Sequence, residues 1–355
     1  MNRKKPLFVM ALSLIMTAAL LAGCGNSGNG GNGGNGSNTG GNASNAPQET
    51  SEPSSAPSEE PADKKLVVGF AQIGAESGWR DAETDSIKET FGNDPAFELK
   101  FSDAQQKQEN QIKAIRTFIA QKVDAIGLAP VVESGWETVL KEAKDAGIPV
   151  FLLDRGITKG NEDLYVSFIG SDFILEGQNA AKWMIDEFGQ DAEVNIVQLE
   201  GTVGASAAND RKKGFEDAIA NLPGYKIVYS QTGDFTRAKG KEVMEAYLKK
   251  DKNIQVVYAH NDDMALGAIQ AIEEAGLKPG TDIKIIGVDG IKAAFEAIAA
   301  GKMNVTVECN PLLGPQLKQA ILDYKAGKTL DKWIKSEEDV YFGQKAIDAL
   351  PNRKY

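Results

Sequence analysis

The stretch Ile148-Pro149-Val150-Phe151-Leu152-Leu153-Asp154-Arg155 passes through apolar residues and one proline, then meets an acid and a base side by side. Gly147 and Gly156 bound it. An unbroken apolar run of this length between glycines reads as a strand buried on both faces, the situation of a parallel sheet. Asp154 and Arg155 then stand at the strand's carboxyl end, where open α/β sheets take their ligands.

Working outward, the pattern on both sides repeats. Before the stretch, strands are expected at 66–71, 97–102 and 125–129, alternating with helices at 79–91, 106–121 and 136–146. The second helix shows Ile112, Ile115, Phe118 and Ile119 on one face. After the stretch, strands at 165–169, 194–199, 226–230, 254–259, 283–288 and 304–307 alternate with helices at 174–188, 205–220, 237–249, 264–275 and 293–300, and a last helix is expected near 317–324. Asp262 sits where a helix N-cap belongs, as does Asp234 with Thr236. Gly147, Gly276 and Gly301 each follow a helix end. Strand–helix alternation with short loops makes parallel sheets covered on both faces. So many strands divide better into two Rossmann-like, doubly wound lobes than into one sheet. The ligand crevice then lies between their carboxyl edges.

The 355 residues suit two lobes, and 42% hydrophobic content supports a sizeable core. Met1–Gly23 has a basic start, an apolar run from Leu7 to Leu21, and small residues just ahead of Cys24. It is similar to a bacterial lipoprotein signal, which implies cleavage before Cys24 and lipid attachment to its thiol. The run is short for a membrane span. Losing the three basic residues of that segment takes the formal charge from −11 to −14, which argues against a nucleic-acid partner. Residues 24–64 are Gly/Asn-rich, then Ser/Pro/Glu-rich, and are expected to be a disordered tether. As a flexible coil it would span about 35 Å root-mean-square. Gly28, Gly30 and Gly33 match G-x-G-x-x-G by accident, with no strand before them and no helix after. With Cys24 consumed, Cys309 has no disulfide partner and is expected as a small buried residue. Two cysteines and the single His260 supply no Cys/His metal site, and no cofactor is expected.

Polar residues recur after the apolar runs. Ser77, Trp79 and Arg80 follow the first strand; Trp79 is placed to lie on the apolar face of a sugar ring and Arg80 to donate to hydroxyls. Asp154 and Arg155 need partners, because an unpaired buried charge is costly. It stays open whether Arg155 touches a ligand or only orients Asp154. Asp289 ends another apolar run, and Asn261 adds an amide. His260 reads as a packed histidine. Asn209 and Arg211 are two apart on a helix and diverge by about 200°, so one of them is expected to face the crevice. Glu308 ends the strand 304–307. Balanced acids and bases with an aromatic plate suit a neutral polyol better than an anion. No G-x-S-x-G, H-E-x-x-H or G-x-x-x-x-G-K occurs, and the chain is not expected to be an enzyme.

In combination, Glu76-Ser77-Gly78-Trp79-Arg80, Phe151-Leu152-Leu153-Asp154-Arg155, Gly201-Thr202-Val203-Gly204-Ala205-Ser206, Asp210-Arg211-Lys212-Lys213-Gly214-Phe215, Gly233-Asp234-Phe235-Thr236-Arg237 and His260-Asn261-Asp262-Asp263-Met264 resemble the type I periplasmic-binding-protein superfamily. These are the sugar-binding subunits of ABC importers, and the pattern is nearer the galactofuranose-binding branch than the ribose-binding one. Where ribose-type members carry two aromatic stackers after the first strand, this chain has Trp79 and Arg80. The resemblance implies three hinge crossings. It divides the folded part into 65–168 with about 309–335, and 169–308 with about 336–355. It also implies that Asn209 aligns with one helix arginine and Arg211 with a second, and that Glu308 aligns with a C-terminal polar ligand. The expectation is a lipid-anchored, extracytoplasmic, monomeric protein that binds a monosaccharide and passes it to a membrane permease. A sugar sensor serving a chemoreceptor or histidine kinase is the alternative, and an extracellular glycosidase a remote third.

Overall fold

In lobe 1, strand β1 (Leu66–Gln72) leads to α1 (Gly78–Gly92), β2 (Phe97–Asp103), α2 (Gln108–Ala120), β3 (Ala125–Leu128), α3 (Glu137–Asp145), β4 (Val150–Leu153) and β5 (Ser167–Gly170). All four residues of β4 are buried, as its apolar run requires. The structure is a computed structural model and describes residues 64–355; the expected signal, the lipidated Cys24 and the tether up to residue 63 lie outside the described residues.

The chain then enters lobe 2 through α4 (Phe173–Phe188), β6 (Val194–Glu200), α5 (Ser206–Ile219), β7 (Tyr225–Thr232), α6 (Arg237–Lys250), β8 (Val256–Ala259), α7 (Asp262–Glu274), β9 (Lys284–Asp289), α8 (Lys292–Ala299) and β10 (Val305–Glu308). It returns to lobe 1 for α9 (Gly314–Lys325), which packs on α1, and β11 (Trp333–Lys335), then ends in lobe 2 with β12 (Val340–Phe342) and α10 (Gly343–Ala349). The strand orders are β2-β1-β3-β4-β5-β11 and β7-β6-β8-β9-β10-β12. The two lobes therefore repeat one order. Every described pairing is parallel except β12 on β10. Lobe 1 has a hydrophobic cluster on each sheet face, one around Phe70 and Phe151, the other around Ile126 and Leu152.

Order reverses beside β1 and beside β6, so the crevice at the carboxyl ends of those strands is where each lobe can hold a ligand. The chain crosses between sheets at 171–172, 309–313 and 336–339. Two doubly wound lobes with three crossings is the expected fold.

Three details differ from the sequence reading. β11, β12 and α10 were not expected: the strands have three residues each and lie among charged neighbours, too short for periodicity to register. The N-cap of α7 is Asn261, whose side chain accepts from the Met264 N–H, while Asp262 is the first helical residue and is fully buried. Thr236 alone caps α6, accepting from the Lys239 N–H; Asp234 precedes it with φ of 52°.

Candidate functional site

Asp154 sits at the centre of a three-residue turn, with φ of 59° and the Arg155 N–H donating to the Leu153 carbonyl at 2.6 Å. Left-handed backbone at a residue with a Cβ is strained, and such strain persists only where the surroundings impose it. The turn breaks the alternation of β4, so neighbouring side chains both reach the cavity. In lobe 2 the fourth strand also ends on an aspartate with positive φ: Asp289, the last residue of β9, has φ of 125°. Each aspartate faces an arginine from the helix that follows its lobe's first strand. Asp154 pairs with Arg80 of α1, and Asp289 with Arg211 of α5 at 3.5 Å.

The arginines are further tied. Arg80 is bound by Glu83 and, at 3.3 Å, by Glu76. Burial works against its charge, but Glu83, Asp154 and Glu76 outweigh it, so the guanidinium is held well above its usual range. Arg155 donates to Glu76, lies 3.6 Å from Asp154, and has its Nε buried without a partner. Burial pushes its pKa down, with Glu76 opposing. Arg211 binds Glu176 of α4 at 2.6 Å and donates to the His260 carbonyl at 2.6 Å. Burial pushes the Asp289 carboxyl well up, Arg211 opposing it.

Two aromatic rings complete the wall. Trp79 donates its indole N–H to the Cys309 carbonyl at 2.6 Å, with the Arg80 guanidinium 4.7 Å over its ring. Phe235, from the loop after β7, carries Arg155 at 4.9 Å and Arg211 at 6.0 Å over its own ring. Phe235 lies so close to Gly201 that a Cβ there would stand 2.0 Å from the ring, so only glycine fits. Asn261 donates its side-chain amide to the Phe235 carbonyl at 3.0 Å while capping α7.

Glu76, Ser77, Trp79, Arg80, Asp154 and Arg155 from lobe 1 thus meet Ala207, Arg211, Phe235, Asn261 and Asp289 from lobe 2, with Cys309 of a crossing between them. The cleft is shut. The Gly78 N–H donates to Asp263 at 2.8 Å, Gly156 N–H to the Ser206 hydroxyl at 2.9 Å, and Glu133 N–H to the Gly204 carbonyl at 2.9 Å. The side chains leave a cavity of about 20 Å³, the scale of one water molecule. A larger solute enters only as the lobes part.

Eight of the residues singled out from sequence therefore come together: Ser77, Trp79, Arg80, Asp154, Arg155, Arg211, Asn261 and Asp289. Ser77 also caps α1, accepting from the Arg80 N–H. Two do not line the cavity. Asn209 is exposed at the cleft rim and donates to Glu133 at 2.9 Å, because it projects from α5 away from the side that carries Arg211. Glu308 is held by Arg353 at 2.6 Å and by the Tyr355 hydroxyl at 3.0 Å. Sequence reasoning missed Glu76, Glu83, Glu176, Ala207, Phe235 and Cys309. Glu83 had a signal, lying three after Arg80 on one face of α1, whereas Glu76 stands just ahead of the Ser77 cap, outside the helix. His260 is buried against Gln198 at 3.1 Å, as its reading as a packed residue supposed.

Two doubly wound lobes, joined by three crossings and closed on a polar cavity at their strand ends, define the class: a type I periplasmic binding protein. The chain matches the family described as periplasmic binding protein domain over residues 68–327, and it belongs to that family. It is 50% identical over 293 residues to the galactofuranose-binding protein YtfQ of Escherichia coli (strain K12), covering 81% of this chain and 92% of that one. Among solved structures, it resembles one from Mycobacterium smegmatis in complex with β-D-fucofuranose, at 52% identity and a TM-score of 0.79 over 82% of this chain and 95% of that one. It also resembles the periplasmic component of the arabinose ABC transporter of Shewanella sp. ANA-3, bound to α- and β-L-arabinofuranose, at 50% identity and a TM-score of 0.78 over 81% and 95%.

Proposed function

We propose that this chain is the lipid-anchored, extracytoplasmic sugar receptor of an ABC importer, and that its ligand is a monosaccharide in the furanose ring form. The observation that carries the reading is the pair of matched Arg–Asp units, Arg80–Asp154 and Arg211–Asp289, facing each other between Trp79 and Phe235. Carboxylates accept from sugar hydroxyls and guanidinium groups donate to them. In a buried site both kinds of bond are strengthened, and an analogue lacking a hydroxyl leaves a partner unpaired. Trp79 and Phe235 supply apolar surface for the ring's carbon faces. The relatives that bind a galactofuranose, an arabinofuranose or a fucofuranose support the ring form. All eight cavity residues named from sequence are assigned to the ligand, with Phe235 added. Asn209 and Glu308 are assigned to the cleft rim and the C-terminus. Lobe 1 is assigned to 65–170 with 314–335, moving the expected boundary at 168 to the end of β5, and lobe 2 to the folded part beyond the crossings. The closed, monomeric receptor presents both lobes to the permease, and opening there releases the sugar.

Titration calorimetry with arabinose, fucose, galactose, ribose and fructose tests the reading. At least one should bind with a Kd of micromolar or tighter. A panel without heat, and without any thermal shift, would sink the sugar assignment.

A further inference from the structure

Glu338, remote from every cavity residue in sequence, lies in the third crossing and touches the other two. Its Oε1 accepts from the Ser171 hydroxyl of the first crossing, from the Asn310 N–H of the second at 3.2 Å, and from Ser336 in its own at 2.7 Å. Ser171 also lies 3.2 Å from the Cys309 sulfur and 3.3 Å from Ser336. One carboxyl thus joins all three segments about which the lobes turn.

The same place holds a second acid. Glu176 of α4, Cys309 and Glu338 bring a ligand atom each within 4.8 Å of one another. The cation facing this group is Arg211, bound to Glu176. Of the other charges nearby, Asp172 pairs with Lys335 at 2.9 Å, Asp339 pairs with Lys345, Glu337 is exposed, and Asp154 adds negative charge on the cavity side. Two acids so close, in a place shielded from water and facing one cation, cannot both ionise without cost. Glu176 Oε1 is buried with no hydrogen-bond partner, so a second negative charge on Glu338 would meet nothing there to offset it. Burial keeps the Cys309 thiol protonated.

We propose that Glu338 is the positioning residue of the hinge, and that it latches the three crossings in the closed form while it stays protonated beside Glu176. Through Glu176 the latch reaches Arg211 and so the cavity. Burial first, and Glu176 second, push the Glu338 carboxyl up to about 8, whereas a carboxyl freed into water by lobe opening titrates near 4.3. Closure therefore takes up a proton between those limits. The stabilisation is whole below the ordinary carboxylate pKa and is lost as pH rises toward 8.

The inference rests on the closing-lobe part of the proposed function, and three proteins test it: the full chain, Glu338→Gln and Glu338→Ala. Sugar binding is measured by calorimetry at pH 5.5 and 8, and at pH 7 in buffers of different ionisation heat. The wild type should bind at least fivefold more weakly at pH 8 than at pH 5.5 and take up protons at pH 7. Glu338→Gln, which keeps the acceptor oxygen and never ionises, should show neither effect. Glu338→Ala should bind at least tenfold more weakly at both pH values. A flat wild type, the same slope and uptake in Glu338→Gln, or wild-type affinity in Glu338→Ala would overturn the proposal. If no sugar binds, the sugar reading fails and the latch is read from unfolding. The Tm of Glu338→Gln should then gain several degrees on the wild type between pH 5.5 and 8, and an unchanged gap would overturn the latch on its own.

Discussion

Arg80 and Arg211 hold matching places in the two lobes, and each is fixed by more than one carboxylate. Such an arginine is pre-set before a ligand arrives, so little side-chain freedom is lost on binding. Truncating Asp154 to Ala removes an acceptor and one of the Arg80 ties, and should cost about 2 kcal/mol of sugar binding, roughly a thirtyfold rise in Kd. Arg211→Ala should weaken binding at least as much, since it leaves Glu176 and Asp289 buried together without their cation. Asn209→Ala, which loses a rim contact to Glu133, should change Kd less than threefold. Calorimetry on the three variants separates these outcomes. Residues that end an apolar run, such as Asp154 and Asp289, were legible because burial and charge conflict locally. Phe235 and Glu176 were not. Phe235 reaches the cavity through two successive left-handed residues, with φ of 52° and 59°, and Glu176 meets Arg211 only because α4 packs on α5.

Among the elements, the start of α7 does several tasks in three residues. Asn261 caps the helix, and Asp262 accepts from the Gly290 and Ile291 N–H groups at 2.8 and 3.0 Å. That holds the strained Asp289 turn in place. Asp263 reaches across to the Gly78 N–H and is gripped by Arg237 at 2.8 Å. An acid at the N-terminus of α1 is favoured by the helix dipole, so Asp263→Ala should loosen the shut cleft. Stopped-flow release of sugar should be faster by several-fold, with secondary structure unchanged by circular dichroism. The C-terminal residues act similarly on lobe 2. Arg353→Ala would leave Glu308 with the Tyr355 hydroxyl but no cation, and would free the Gly290 carbonyl, which Arg353 also binds; it should cost about 1–3 kcal/mol in urea unfolding. The helices and inner strands were readable from their periods, whereas β11 and β12 were not, because edge strands of three residues exist only through their partners. Glu308 shows the same limit, since Arg353 and Tyr355 lie 45 and 47 residues away.

At the scale of the whole molecule, the repeated strand order explains why the site has two matching halves. Each lobe offers the same strand ends, and closing them face to face places one Arg–Asp unit from each lobe at the cavity. Alternation of strands and helices made the two lobes legible. The hinge was not, because Ser171, Cys309, Asn310 and Glu338 form a unit only after three distant segments meet. If Cys24 carries the lipid, Cys24→Ser should move the protein from the membrane fraction to the medium on cell fractionation, and sugar affinity should not change. The central claim is that this cavity clamps a furanose. Its most direct test is calorimetric titration of the purified protein with methyl β-D-galactofuranoside and methyl β-D-galactopyranoside, in which the rings cannot interconvert. The account predicts binding of the furanoside at least a hundredfold tighter than of the pyranoside, while equal affinities, or a preference for the pyranoside, would contradict it.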